Sequence, residues 1–307
     1  MLLLPALQAC SAIRKKSKVL IGFSQMENNN PWRIAETKSM RAEGERRSAK
    51  YHIVITDAQG QTAKQVSDVE DLVARRVSAI FLAPREFDGL DPALDSAKEL
   101  QIPVFLIDRE AAGTPGRDYV CFIGSDFVEQ ARRVANWLIE HTGAKASIVE
   151  LTGTPGSSVA RDRSRGFAER IFGHAGMRVI VSQTADFSRA AAQNVMQNIV
   201  QAKRSEITAV YAHNDEMAIG AIQALKGAGL RPGRDVTVVS IDGERAALEA
   251  IVAGELAATA ESNPRFGPLA FATLERYRAG DKIPPKIVLD DRFFDASNAG
   301  RFLPEAF

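Results

Sequence analysis

Four short polar clusters stand where apolar runs stop, and their residue types suit a neutral polyol. Asp108-Arg109 follows Val104-Phe105-Leu106-Ile107, and Asn214-Asp215 follows Val210-Tyr211-Ala212. Asp242-Gly243 follows Val238-Val239-Ser240-Ile241, and Asn29-Asn30-Pro31-Trp32-Arg33 follows the first apolar run. A carboxylate accepts hydrogen bonds, a guanidinium donates them in a fork, and an Asn side chain does both. An aromatic face such as that of Trp32 packs on the C–H side of a sugar ring. Taken singly, each of these residues could instead be a helix N-cap, a position Asp and Asn favour, and for Asp215 and Asp242 that alternative stays open. Four such coincidences favour a shared pocket.

Other chemistries lack their residues. The turn after the first strand, Gln25-Met26-Glu27-Asn28-Asn29-Asn30-Pro31, has no glycines to let a backbone approach a pyrophosphate, and no Gly-Lys-Ser/Thr phosphate loop occurs. Lys226-Gly227-Ala228-Gly229 reads as a helix C-cap. Gly153-Thr154-Pro155-Gly156-Ser157-Ser158 reads as an ordinary strand–helix turn, with an anion site at a helix N-terminus as the alternative. The four histidines are scattered without a His-Glu-x-x-His, and Asp57-Ala58-Gln59-Gly60-Gln61 lacks calcium-loop spacing. Two cysteines without a Cys-x-x-Cys exclude a zinc or redox motif, and Cys121, inside an apolar run, reads as a core residue.

The clusters must be positioned by strands and helices in alternation. Strands are expected at 19–24, 51–56, 79–83, 103–107, 119–124, 146–151, 178–184, 208–212, 236–241 and 257–260. Helices are expected at 32–49, 63–77, 90–100, 127–141, 159–172, 190–202, 216–228, 244–253 and 268–279; in the first, Ile34, Met40 and Ala42 are set among charged residues. Repeated strand–helix units imply right-handed crossovers and parallel sheets. About ten strands are too many for one comfortable sheet, so two doubly wound sheets are expected. Ligand crevices in such sheets lie outside the C-terminal strand ends, where the clusters stand. Crossings near Ser125, Ser262 and Asp290 would divide the chain into 18–125 with 262–289 and 126–261 with 290–307, leaving 1–17 as a leader and tether.

The chain has 307 residues, 45% hydrophobic and 25% charged, ordinary values for a globular protein of about two domains. Lys+Arg 39 against Asp+Glu 38 leaves a net charge of +1, so no global field attracts nucleic acid or cations. The apolar stretch Leu2–Leu7 is too short for a bilayer, which needs about 20 residues. It ends in Leu7-Gln8-Ala9-Cys10, similar to a bacterial lipoprotein cleavage box with an atypical Gln8 and without a basic segment before Leu2. Export, with Cys10 as a point of lipid attachment, is expected; a cytoplasmic tail is the alternative.

The chain resembles the ribose-type periplasmic sugar-binding proteins of ABC transporters over nearly all of residues 18–290. The resemblance is carried by Asn30-Pro31-Trp32, Asp108-Arg109, Ala160-Arg161-Asp162-Arg163-Ser164-Arg165-Gly166-Phe167, Ala185-Asp186-Phe187, His213-Asn214-Asp215-Glu216-Met217-Ala218-Ile219-Gly220-Ala221 and Ile241-Asp242-Gly243. Gly22-Phe23-Ser24-Gln25, Trp32-Arg33-x-Ala35-Glu36-Thr37, Tyr211-Ala212-His213-Asn214-Asp215 and Ser240-Ile241-Asp242-Gly243 bring it closest to the galactofuranose-binding branch. The resemblance implies a type I periplasmic-binding-protein fold of the α/β class, with two doubly wound parallel-sheet lobes on a three-crossing hinge. It implies ligand contacts from Asn30, Trp32, Arg33, Asp108, Arg109, Arg163, Phe187, Asn214, Asp242 and Glu261. Two positions depart from ribose binders: Arg33 replaces a second stacking aromatic, and Glu261 replaces the usual Gln. Both favour a sugar with more hydroxyls than ribose, and Arg33 could fork onto the exocyclic diol of a hexofuranose. Alternatively Arg33 pairs with Glu36 and never meets ligand. Arg161 should turn away from the pocket.

The function implied is an extracytoplasmic solute-binding protein, not an enzyme and without cofactor. It would capture a monosaccharide, galactofuranose or a related hexose, and present it to the permease subunits of an ABC transporter. It is expected to be monomeric and to bind no nucleic acid. A sugar-sensing core of a lactose-repressor-type regulator has the same fold but needs a helix-turn-helix, and only 17 residues precede Lys18. A sugar-processing enzyme could be imagined from Asp108, Asp242 and Glu261; Arg109 and Arg163 would instead hold carboxylates ionised for binding.

Overall fold

The computed structural model describes residues 18–307. The expected leader and Cys10 lie outside the described residues. The chain opens with β1 (Val19–Gln25), α1 (Pro31–Arg46), β2 (Tyr51–Asp57), α2 (Thr62–Ala74), β3 (Ile80–Leu82), α3 (Asp91–Glu99), β4 (Val104–Ile107) and β5 (Cys121–Gly124). It continues with α4 (Phe127–His141), β6 (Ala146–Thr152), α5 (Ser158–Ile171), β7 (Met177–Thr184), α6 (Arg189–Lys203), β8 (Ala209–Ala212), α7 (Asp215–Gly227), β9 (Thr237–Asp242), α8 (Arg245–Val252) and β10 (Ala258–Glu261). The last elements are α9 (Gly267–Arg278), β11 (Lys286–Val288), β12 (Phe293–Asp295) and α10 (Ala299–Phe302).

Two six-stranded sheets result, ordered β11-β5-β4-β3-β1-β2 and β12-β10-β9-β8-β6-β7. The central strands β3, β4, β5, β8 and β10 are buried throughout, as strands covered by helices on both faces must be. Phe81 packs between Phe105 and Phe271, with ring centroids 5.7 and 5.3 Å away. Order reverses between β1 and β3 in one sheet and between β6 and β8 in the other. Each reversal opens a crevice at the C-terminal strand ends. The chain passes from one sheet to the other after β5, again after β10 and finally after β11.

Four details differ from the sequence reading. The sheets are not wholly parallel, since β12 runs antiparallel to β10. Neither β11 nor β12 was anticipated: each has three residues, too few to show a period. Tyr119 and Val120 precede β5 rather than belonging to it. The first helix begins at Pro31 and ends at Arg46, and Ile34 is half exposed while Arg33, Glu36 and Glu43 are buried. That inverted pattern is intelligible because Arg33 and Glu36 face the inter-lobe site, while Glu43 is held by Arg46 and Arg47.

Candidate functional site

The C-terminal strand ends of both sheets face one cleft, and each polar cluster reaches it through a short turn. Asn30 caps α1, its side-chain oxygen accepting from Arg33 N–H at 2.9 Å. That cap and Pro31 at the first helical position start the helix so that Trp32 and Arg33 project inward. The Trp32 indole donates to the Ser262 carbonyl at 2.7 Å, tying α1 to the chain passage after β10.

Arg33 forks onto two carboxylates: Nη1 donates to Glu36 at 2.9 Å and Nη2 to Asp108 at 2.7 Å. Its guanidinium lies 4.6 Å from the Trp32 ring centroid. All three charged groups are buried, and burial makes ion pairs costly unless each partner is held. Burial depresses the Arg33 pKa, but the carboxylates of Asp108 and Glu36 outweigh it and the net shift is upward. Burial, with the Asp108 charge adding to it against Arg33, pushes Glu36 up to about 7. Arg109 donates to the Arg85 carbonyl at 2.6 Å and stands 3.8 Å from Asp108. Burial first, and Arg33 second, lower it to about 9, still a cation at neutral pH. Its remaining donors are free for a ligand, and Nε has no partner among the described residues.

The second lobe mirrors this arrangement. Arg163, on α5, donates to Asp242 and to the Gln130 side-chain oxygen at 3.1 Å each, and to the His213 carbonyl. Burial raises Asp242 well above the usual carboxylate range, against the pull of Arg163. His213 is fully buried; its Nδ1 accepts from Gly153 N–H at 3.3 Å, so Nε2 carries the proton toward Glu150 at 3.0 Å. Asn214 caps α7, accepting from Met217 N–H at 3.0 Å and donating to the Phe187 carbonyl at 3.3 Å. Phe187 lies against Gly153, where a Cβ would meet its ring at 1.9 Å. The Phe187 ring reaches across to Arg109, whose guanidinium is 5.3 Å from its centroid.

Asp108, Asp186, Phe187 and Asp242 all have positive φ, at 64°, 54°, 55° and 141°. Asp tolerates the left-handed region that Asp108 and Asp186 adopt, whereas Phe187 there and Asp242 at 141° are strained, and such strain concentrates at ligand sites.

Nine of the ten expected contacts line one cavity: Asn30, Trp32, Arg33, Asp108, Arg109, Arg163, Phe187, Asn214 and Asp242. Between them lies about 330 Å³ of space not filled by atoms, part of it open to solvent. The tenth, Glu261, is not brought there. Arg292 claims its carboxylate with two side-chain bonds of 3.0 and 2.8 Å and a backbone N–H at 3.0 Å, so Glu261 braces the chain passage after β10. Arg33 also differs from the simple expectation, because it pairs with Glu36 and lines the cavity as well. Asp215 is neither cap nor lining; it accepts from Ser240, Thr259 and the Glu244 N–H. Arg161 points outward, half exposed, to Asp162. Sequence reasoning missed Val159 and Ser262 as lining residues, and missed Gln130 and His213 behind Arg163. Nothing in composition or spacing marks Val159 or Gln130, whereas Ser262 directly follows a strand end.

The profile of the periplasmic binding protein domain matches residues 21–282. The galactofuranose-binding protein of Escherichia coli (strain K12) is 38% identical over 284 residues, 92% of this chain and 89% of its own length. A crystal structure of a galactofuranose binding protein superposes with a TM-score of 0.90 at 36% identity, covering 94% of this chain and 98% of its own. The binding protein of the arabinose ABC transporter from Shewanella sp. ANA-3, bound to α- and β-L-arabinofuranose, also superposes at 0.90, with 34% identity over 93% and 95% of the two chains. Two sheets, three passages between them and a polar cavity at their facing strand ends accord with these similarities: the chain belongs to the periplasmic binding protein family.

Proposed function

We propose that the protein captures a hexose in its furanose form, galactofuranose or a close relative, and presents it to the permease of an ABC importer. Family membership places it outside the cytoplasm, among sugar-binding transport proteins rather than enzymes. The observation that carries the reading is the cavity lined by both lobes, with three guanidiniums, two carboxylates and two Asn caps between the rings of Trp32 and Phe187. Carboxyl oxygens accept from sugar hydroxyls while guanidiniums donate to them, and Arg33 and Arg163 already have acid partners at 2.7 and 3.1 Å, which suits a neutral ligand. The nine lining residues named above are the proposed contacts. Residues 18–125 with 262–289 and 126–261 with 290–307 are the proposed moving lobes. Residues 1–17 are taken as leader and tether, with Cys10 as the lipid-bearing residue, and the mature chain as a monomer.

Ring form is the discriminating test. Galactose supplies its furanose form by mutarotation; the methyl furanoside and methyl pyranoside are ring-locked. In calorimetry the furanoside should bind at least tenfold tighter than the pyranoside or ribose, and the sugar should be recovered unaltered by mass spectrometry. Ligand at 100 times its Kd should add about 2.7 kcal/mol to stability. Equal affinities would remove the furanose assignment, and a catalytically altered sugar would remove the binding function.

A further inference from the structure

We propose that Gln130 is a positioning residue that couples Arg163, in the sugar cavity, to the hinge; this rests on the sugar-capture reading above. Gln130 lies in the first turns of α4, is 2% exposed and does not line the cavity. Its amide orientation follows from chemistry. Arg163 can only donate, so the side-chain oxygen faces it at 3.1 Å. The NH₂ group then faces two acceptors, the Glu261 carbonyl at 3.0 Å and Asp291 Oδ2 at 2.8 Å.

These acceptors belong to different chain passages. Glu261 ends β10, immediately before the second passage, and Asp291 lies in the third. Asp291 Oδ1 also accepts from Asn263 N–H at 3.2 Å, which stitches the second passage to the third. Arg133, one residue-turn along α4, donates to the Asp291 carbonyl at 2.7 Å. The helix itself starts at the first passage, with Asp126 as its cap. Glu261 and Asp291 are the second-lobe ends of two passages, so one buried amide contacts both the arginine that faces ligand and the points about which the lobes rotate. A movement of the passages away from α4 would leave that amide without acceptors in a buried place. Ligand that fixes Arg163 fixes Gln130 and so favours the closed arrangement; by reciprocity, loosening the hinge must weaken ligand binding.

The test is a double-mutant cycle with Gln130→Met, which keeps size and loses all three bonds, and Asp291→Ala, which frees the hinge without touching Arg163. Small-angle scattering of the ligand-free proteins and stopped-flow binding of galactose are the readouts. Both variants should fold, and both should scatter as more open particles than wild type. Each should release sugar about tenfold faster with little change in association rate, and the double variant should be no worse than the poorer single one. Unchanged release by Gln130→Met, or losses that multiply in the double variant, would overturn the coupling. If wild type bound no sugar, the capture reading would fall, and scattering alone would decide: identical particle dimensions for wild type and variants would overturn the hinge role.

Discussion

Asp108 holds the Arg33 guanidinium at 2.7 Å from a backbone position with φ of 64°, so both its charge and its tolerance of left-handed backbone are used. Asp108→Asn keeps that tolerance and removes the charge. Hydrogen bonds to charged groups contribute about 1.5–3 kcal/mol, so calorimetry should show sugar affinity falling at least tenfold in a folded protein. Glu36 supplies a second residue-scale expectation, in pH. It ionises near 4.5 in the unfolded chain and near 7 in the fold, chiefly because it is buried. Its contribution to stability is therefore fully present below pH 4.5 and is lost as pH rises to about 7. Glu36→Gln keeps an acceptor for Arg33 and Gln25 and cannot titrate. The stability of wild type relative to this variant, from denaturant unfolding, should decline between pH 4.5 and 7 and level off above. A flat difference would mean that the fold leaves the Glu36 pKa at its unfolded value.

Elements set the cavity walls through close packing as much as through polar groups. Gly153, just beyond β6, gives the Phe187 ring its seat. Gly153→Ala would put a methyl inside that ring's space and push Phe187 off the cavity wall. Overpacking of this kind costs about 1–3 kcal/mol, and here it should appear mainly as a loss of sugar affinity of tenfold or more, with a smaller drop in Tm. The sequence shows a glycine after a strand at this point but not which ring it accommodates. The same divide runs through the whole molecule. Alternation of apolar runs with amphipathic segments made the two-sheet architecture legible, and polar clusters at strand ends disclosed seven of the nine lining residues, while Arg163 and Phe187 came from the family resemblance. The three-residue strands β11 and β12 stayed hidden because pairing with β5 and β10, not their own pattern, makes them strands. Glu261 misled because its type suits a sugar site, while its partner Arg292 lies far along the chain. Gln130 was invisible for the complementary reason: its three partners come from α5, β10 and the third passage.

At the scale of the molecule the lobes touch directly beside the cavity. Phe87 N–H donates to the Gly156 carbonyl at 2.9 Å, and Glu110 N–H donates to Ser158 Oγ at 3.0 Å. Arg161 completes the seam, its guanidinium 4.8 Å from the Phe87 ring centroid and 3.8 Å from Glu110. Phe87 and Glu110 follow β3 and β4 of the first sheet; Gly156, Ser158 and Arg161 follow β6 of the second. Opening of the cleft would break contacts of this kind, so they would stabilise the closed state without touching sugar. Ser158→Ala isolates one of them. Ser158 is the first residue of α5, the cap is Ser157, and alanine is well tolerated in a helix. A net hydrogen bond contributes about 0.5–1.5 kcal/mol. Stopped-flow fluorescence, with Trp32 in the cleft as reporter, should show sugar dissociation faster by a few-fold and association unchanged. The open protein that first meets the sugar lacks this bond in either variant, so only escape from the closed state should accelerate. A slower association of equal size would mean that the seam forms before the sugar is held, and the contact would then belong to the route of closure rather than to its latch.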